Sequence, residues 1–319
     1  MKKSSQGDGE FSLIERYFYR TDTYHPETIL GIGDDASLLQ IPSGKQLVVS
    51  IDTMVEGVHF MGGVSPESLG HKLMAVNLSD LAAMGAAPVW ATLALTIPEN
   101  NPEWMGRFSQ GMFALANHYQ IDLVGGDTTR GPLTLTMQIH GLVPEGEAVR
   151  RDGAKAGDLI CVTNSLGAAA LALKLIQQGE NAKEIINYLE LPTPRVEAGV
   201  ILREYATSMI DISDGLLADV GHILDQSGVG AIIDLDAIPL HPSLSRLSTT
   251  AEQLELAMTA GDDYELCFTI PKQKLGDVNN SLSDIDIAVS VIGEIKQDVG
   301  LQWRGTSEWI PDKSGFQHF

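Results

Sequence analysis

The chain has 319 residues, 44% of them hydrophobic and 20% charged, an ordinary globular composition with material for two domains of about 150 residues each. Asp plus Glu number 42 against 21 Lys plus Arg, a formal net charge of −21. That charge repels nucleic-acid backbones and anionic membrane surfaces, which excludes both as main partners and requires cations wherever an anionic ligand is to be held.

Along the first half, strand-like and helix-like segments alternate. Lys45 to Asp52 reads as a strand, and Ser65-Pro66 opens a helix that runs to Met84, stopped by Gly85 and Pro88. Trp90 to Ile97 is strand-like, Pro102 to Tyr119 helical, Ile121 to Val124 a short strand and Leu133 to Val143 a long alternating one. The polar, Gly-rich stretch around 145–157 is the best boundary, which gives domains 1–147 and 148–319. Beyond it strands are expected at Leu159 to Thr163, Ser208 to Ile212, Ala231 to Leu235, Tyr264 to Ile270 and Ile287 to Ile295. Helices are expected at Gly167 to Gln178, Ala182 to Leu189, Pro194 to Tyr205, Gly215 to Gln226 and Ala251 to Met258. The class expected is α/β (α+β) in both halves. No apolar run reaches the 18 or so residues of a membrane span. The start, MKKSSQGDGE, has no apolar stretch behind its lysines, and Cys161 and Cys267 stand alone as free thiols, so a cytoplasmic place is expected.

The acidic residues sit singly or in pairs at the ends of predicted strands, among small and apolar residues: GIGDDA (31–36), VSIDT (49–53), LVGGDTTRG (123–131), MIDISDG (209–215) and AGDDYE (260–265). Each is either a turn residue or an oxygen ligand; together they suit divalent cations, which neutralise carboxylates that otherwise repel. Asp80 is the sharpest case. On the predicted helix it falls ~20° from Leu69, in an apolar stripe with Leu73 and Val76. There it either caps backbone or pairs with a base, or it reaches a metal, and Asn77 one turn earlier supports it.

Two motif matches are dismissed. Gly31-Ile-Gly33-Asp-Asp-Ala36 has the dinucleotide-fingerprint spacing, but two aspartates occupy the place where bare N–H groups meet a pyrophosphate. Gly44-Lys45 ends like a P-loop, yet Leu39 replaces the first Gly and Gln46 the Ser/Thr. LVGGDTTRG retains the parts of a phosphate site: two glycines, then Asp127 and Arg130, with Arg150-Arg151 further on. Aspartates holding Mg²⁺, and Mg²⁺ a nucleoside triphosphate, reconcile such a ligand with the acidic chain.

The ordered set GIGDDA, SIDTMVEGVHF, NLSDLAAMGA, GGDTTRG, DISDGL and GDDYEL resembles the thiamine-monophosphate kinase family, over nearly the whole chain from EFSLIERYF to GFQHF. That family shares a superfamily with aminoimidazole ribonucleotide synthetase and selenophosphate synthetase. The resemblance implies an N-terminal ATP-binding domain whose strands join a partner's in a dimeric β-barrel, and a C-terminal α/β domain beside it, with the active site in the cleft. It implies transfer of the γ-phosphate of ATP to thiamine monophosphate, assisted by several Mg²⁺ ions. Carried over by position, Asp35, Ser50, Ile51 (through its carbonyl), Asp52, Asp80, Asp127, Asp211 and Asp214 bind Mg²⁺. Gly125, Gly126, Arg151 and Ser213 contact ATP, and His59, Asp262 and Phe316 contact thiamine monophosphate. Asp262 departs from the family pattern, which more often has Glu there, and Ile51 stands where Thr is usual.

The acceptor phosphate, with a second pKa of about 6, is largely ionised at neutral pH, so no protein general base is expected. Selenophosphate synthesis would need a reactive N-terminal Cys, and neither cysteine lies there. Aminoimidazole ribonucleotide synthesis would bring different substrate motifs, and a metal-dependent nucleotide binder without turnover would use the same aspartates.

Overall fold

The computed structural model describes residues 13–20, 22–247, 249–305, 309 and 315. They form two compact units, one drawn from residues up to 77 with 88–142, the other from 78–87 with 143 onward.

In the first unit a short antiparallel pair, β1 (Thr28–Leu30) and β2 (Leu38–Leu39), precedes β3 (Lys45–Val55), α1 (Pro66–Ala83, whose residues from Leu78 belong to the second unit), β4 (Ala87–Ile97), α2 (Pro102–His118), β5 (Asp122–Arg130) and β6 (Thr134–Pro144). The four long strands make one open sheet in the order β3-β6-β4-β5, with β4 and β5 parallel. β6 shows why the register holds: Leu135, Met137, Ile139 and Val143 are buried, while Thr134, Thr136, Gln138 and His140 between them are only half-buried. A one-residue slip would exchange those faces. α2 starts at Asn101, whose side chain accepts from the Trp104 N–H at 3.1 Å, with Pro102 at the first helical position and Met105, Phe108 and Met112 buried. Asp122 ties the β1 segment to the sheet by accepting from the Tyr24 and His25 N–H groups and from the Thr28 hydroxyl, which in turn accepts from the Trp90 indole.

α1 differs from the amphipathic helix expected of it. From Ser68 to Ala83 it is buried on nearly every side, with only His71 and Asp80 half-exposed. A Cβ on Gly111 of α2 would land 2.0 Å from the Glu67 carbonyl oxygen, so the two helices meet backbone to backbone, and the apolar stripe no longer singles out Asp80. What distinguishes Asp80 is its partial exposure between the fully buried Ser79 and Leu81.

The second unit contains β7 (Leu159–Thr163), α3 (Ala168–Gln177), α4 (Ile186–Glu190), α5 (Val196–Leu202), β8 (Ser208–Asp211), α6 (Leu216–Ser227), β9 (Gly230–Asp234), α7 (Thr250–Thr259), β10 (Leu266–Ile270), α8 (Leu275–Ser283), β11 (Val289–Lys296) and β12 (Gly300–Arg304). Its sheet runs β12-β9-β11-β7-β10-β8, antiparallel throughout except for β12 beside β9. The architecture is mixed α/β with segregated antiparallel pairing, the α+β variant of the expected class. One core holds Ile160, Val162, Leu171, Ile210, Val220, Leu254, Cys267 and Ile292; Cys161 is buried as well, and both thiols are free. No described helix is long and apolar enough to cross a membrane.

Candidate functional site

In the first unit, Asp34 and Asp35 are exposed in the turn after β1, with the Asp35 N–H donating to Asp34 Oδ1 at 2.8 Å. Ser50 and Asp52 of β3 are half-buried on one face of the strand; Ile51 between them is 59% exposed on the other. His59 closes the turn after β3: its Nδ1 accepts from the Val55 N–H at 3.0 Å, which leaves the ring proton on Nε2 and makes Nε2 a donor. GGDTTR does not form the loop its glycines suggest. It continues β5 to Arg130, past an irregularity opposite Ala91 and Thr92, with Gly126 level with Leu93 of β4. A Cβ on Gly126 would sit 2.0 Å from the Leu93 carbonyl oxygen, and φ is +154°, so only glycine fits. Gly126 and Asp127 are exposed, presenting bare backbone beside a carboxylate.

In the second unit Ser79, next to Asp80 at the end of α1, donates to Asp211 Oδ2 at 2.8 Å, both residues being buried. The helix end carrying Asp80 and the end of β8 carrying Asp211 are therefore joined. After β8 the chain runs through Ile212, Ser213 and Asp214 into α6. Asp219, which sequence reasoning missed, lies in the first turn of α6, 2% exposed, and accepts from the Asp214 N–H at 3.3 Å. Burial, with the Asp214 charge beside it, pushes its carboxyl up to about 7, against the opposing pull of the Asp214 and Gly215 N–H groups and of Arg151. Arg151 is thus near enough to act on this loop. A sequence signal existed: Asp219 stands among Leu216, Val220 and Ile223 as Asp80 stands among its apolar neighbours.

The 260–265 segment is laced to the same loop. The Asp262 N–H donates to the Ser213 carbonyl at 3.0 Å, the Tyr264 N–H to that of Ile212 at 2.8 Å, and the Ile212 N–H to that of Glu265 at 2.8 Å. Asp262 and Tyr264 both have left-handed backbones, φ 70° and 51°. Two anchors hold them. Asp263 accepts from the Gly167 N–H at 2.9 Å through a carboxyl that burial drives well above the usual range, and Glu265 takes a two-pronged bond from Arg195, 2.8 and 2.6 Å, plus donors from Thr163 and Asn164. The sequence marked Asp262 but neither clamp, because Arg195 and Thr163 reach Glu265 only through the fold.

Two described residues beyond β12 bear on this region. Trp309 is 6% exposed, its indole donating to Glu255 Oε2 at 2.9 Å. Gly315 (φ +133°) lies so close to the loop that a Cβ would be 3.0 Å from the Asp214 carbonyl oxygen and 2.6 Å from the Ala218 Cβ. Phe316 itself lies outside the described residues.

Among the described residues no three His, Cys, Asp or Glu side chains converge on one point. The candidate ligands are divided, Asp35, Ser50, Ile51, Asp52 and Asp127 in the first unit and Asp80, Asp211 and Asp214 in the second. The donor set is nonetheless all oxygen, the chemistry that Mg²⁺ takes. Asn77, one turn before Asp80 on α1, has a buried Oδ1 that accepts no hydrogen bond among the described residues, an acceptor suited to a cation or its water.

The class follows from comparison with known families: residues 33–143 match the family model described as AIR synthase related protein, N-terminal domain, and residues 155–304 the corresponding C-terminal domain. Thiamine-monophosphate kinase of Salmonella typhimurium is 44% identical over 321 residues, covering 98% of both chains. The crystal structure of thiamine-monophosphate kinase from Stenotrophomonas maltophilia, also 44% identical, covers 87% of this chain and 91% of its own with a TM-score of 0.84. The structure described as AaThiL complexed with AMPPCP and TMP is 29% identical, covers 90% of this chain and 92% of its own, and has a TM-score of 0.77. The chain belongs to the thiamine-monophosphate kinase family of enzymes.

Proposed function

We propose that the protein transfers the γ-phosphate of ATP to thiamine monophosphate by direct in-line displacement, giving thiamine diphosphate and ADP, with several Mg²⁺ ions and no protein general base. The observation that carries this reading is the lacing of the 211–215 loop to the 260–265 segment. Those bonds tie residues expected to serve metal (Asp211, Asp214), nucleotide (Ser213) and acceptor (Asp262) into one hydrogen-bonded segment. The AaThiL complex with an ATP analogue and TMP, at 29% identity over 90% of this chain, supports the same pair of ligands.

Bound Mg²⁺ supplies charge neutralisation between two phosphate groups that otherwise repel. The residues for it are Asp35, Ser50, Asp52 and Asp127, with the Ile51 carbonyl, in the first unit, and Asp80, Asp211 and Asp214 in the second. Gly125 and Gly126 offer backbone that no Cβ screens, and Arg151 and Ser213 complete the nucleotide contacts. The acceptor phosphate arrives largely ionised, so the chain need only align it. His59 through Nε2–H, Asp262 as a carboxylate for the cationic thiazolium, and Phe316 as an aromatic face are assigned to thiamine monophosphate.

A homodimer is part of the reading. β3 is an edge strand whose exposed face carries Leu47, Val49 and Ile51, 41, 48 and 59% exposed, an apolar edge that soluble proteins usually cover. Joining a second copy there would extend the open sheet toward the barrel the resemblance implies. Two buried free thiols suit a reducing, cytoplasmic setting. Incubating the protein with ATP, Mg²⁺ and thiamine monophosphate should yield thiamine diphosphate; ATP binding without that product would leave a nucleotide-binding protein and refute the proposal.

A further inference from the structure

We infer that Tyr264 is a positioning residue that sets the carboxylate of Asp262 for the acceptor substrate, an inference that rests on the assignment of Asp262 to thiamine monophosphate. Tyr264 is 8% exposed, and its hydroxyl donates to Asp262 Oδ1 at 2.8 Å. A tyrosine with φ 51° is a real exception, since a bulky side chain disfavours that backbone, and Asp262 with φ 70° makes two such residues within three. Strain of this kind persists only where the surroundings over-determine it. Here they do: the Tyr264 N–H is held by the Ile212 carbonyl, the Asp262 N–H by the Ser213 carbonyl, Asp263 by the Gly167 N–H, and Glu265 by Arg195.

The result of that arrangement is a hydroxyl that reaches back two residues to its own turn. Aspartate has one methylene fewer than glutamate, so Asp262 projects less far and its aim depends more on what holds it. Tyr264 commits Oδ1 and thereby fixes the plane of the carboxylate. It does so next to Ser213 and Asp214, so the acceptor group is oriented relative to the nucleotide and metal residues of the same loop. The ring of Tyr264 belongs to the core; the hydroxyl alone carries the positioning role.

Tyr264→Phe in the full-length protein separates the two. With ATP and Mg²⁺ saturating, KM for thiamine monophosphate should rise about 3- to 15-fold, the loss of one hydrogen bond. KM for ATP and the melting temperature should stay at wild-type values. Asp262→Asn should itself weaken thiamine monophosphate, and adding Tyr264→Phe to it should cost little more. A lowered melting temperature with both KM values moving together would make the hydroxyl a structural bond and overturn the inference, as would unchanged KM values or full additivity of the two substitutions. Absence of thiamine diphosphate with the wild-type protein would instead refute the functional reading beneath it.

Discussion

Replacing Arg195 with methionine tests the clamp beneath the substrate segment. Glu265 has a side chain only 6% exposed, and Arg195 one 20% exposed, so the pair is largely withdrawn from water. Arg195 supplies two of the bonds to that carboxylate, at 2.8 and 2.6 Å, while Thr163 and Asn164 supply neutral ones. Arg195→Met keeps the apolar stem and removes the charge, stranding a buried carboxylate, a change that costs about 3–5 kcal/mol. At about 2–4 °C per kcal/mol for a unit of this size, the melting temperature should drop by roughly 6–20 °C. The double variant Arg195→Met/Glu265→Leu should regain much of that loss, because no unpaired charge remains, although Thr163 and Asn164 lose their acceptor. Thermal and urea melts followed by circular dichroism measure both. A single variant within about 1 kcal/mol of wild type, the ordinary range of an exposed pair, would show that the Arg195–Glu265 bond holds nothing. A double variant less stable than the single one would show that charge stranding is not the cause.

Other outcomes follow from the same geometry. Asp80→Asn should lower turnover by about 100-fold or more, in the range lost with one electrostatic catalytic group, with the circular dichroism spectrum unchanged; near-normal activity would remove Asp80 from the metal set. Gly315→Ala, whose Cβ has no room against Ala218 and the Asp214 carbonyl, should displace residue 315 from this loop and weaken thiamine monophosphate, and Phe316→Ala should weaken it by roughly 2- to 30-fold. Calorimetry should find ATP affinity unchanged in both, and equal loss of both ligands would sink the assignment. Burial holds the His140 imidazole below its ordinary value, and its Nδ1 accepts no bond among the described residues. Its contribution to stability is therefore full above about pH 6.5 and is lost as pH falls toward the depressed folded value. His140→Gln should flatten the fall in melting temperature between about pH 7.5 and 5.5, and an unchanged slope would refute this. Val49→Lys with Ile51→Lys should shift the sedimentation coefficient to that of a monomer; a wild-type value would place any dimer contact elsewhere.

Periodicity and turn chemistry made most elements legible. The predicted strand at Leu159 to Thr163 matches β7, that at Leu133 to Val143 lies within one residue of β6, and that at Trp90 to Ile97 ends with β4 but starts three residues late, because each carries its own alternation and its own stops. β5 runs on to Arg130, past the predicted end at Val124: glycines signal a turn locally, and only the backbone of β4, pressed against Gly126, makes them strand residues. β12 and α8 were not foreseen, since Gly300–Arg304 becomes a strand only by pairing with β9, and α8 has just two buried side chains, Val278 and Leu282, to pattern.

The candidate site divides the same way. Asp80, Asp127, Asp211, Asp214 and Asp262 could be picked out in the sequence because a carboxylate among glycines or apolar residues is costly and therefore conspicuous. Asp219 bears the same mark. Arg195 beneath Glu265, the Tyr264 hydroxyl on Asp262, Ser79 on Asp211 and Gly315 against Asp214 had no local sign at all. Three of these are contacts between distant segments, 132 residues apart for Ser79 and Asp211; the fourth joins residues two apart, in a turn whose left-handed backbone the packing around it holds. Residue type decides what a side chain can do, and that is written in the sequence. Which partner reaches it within hydrogen-bonding distance depends on chain paths that converge only when both segments are packed, and only the tertiary structure decides that.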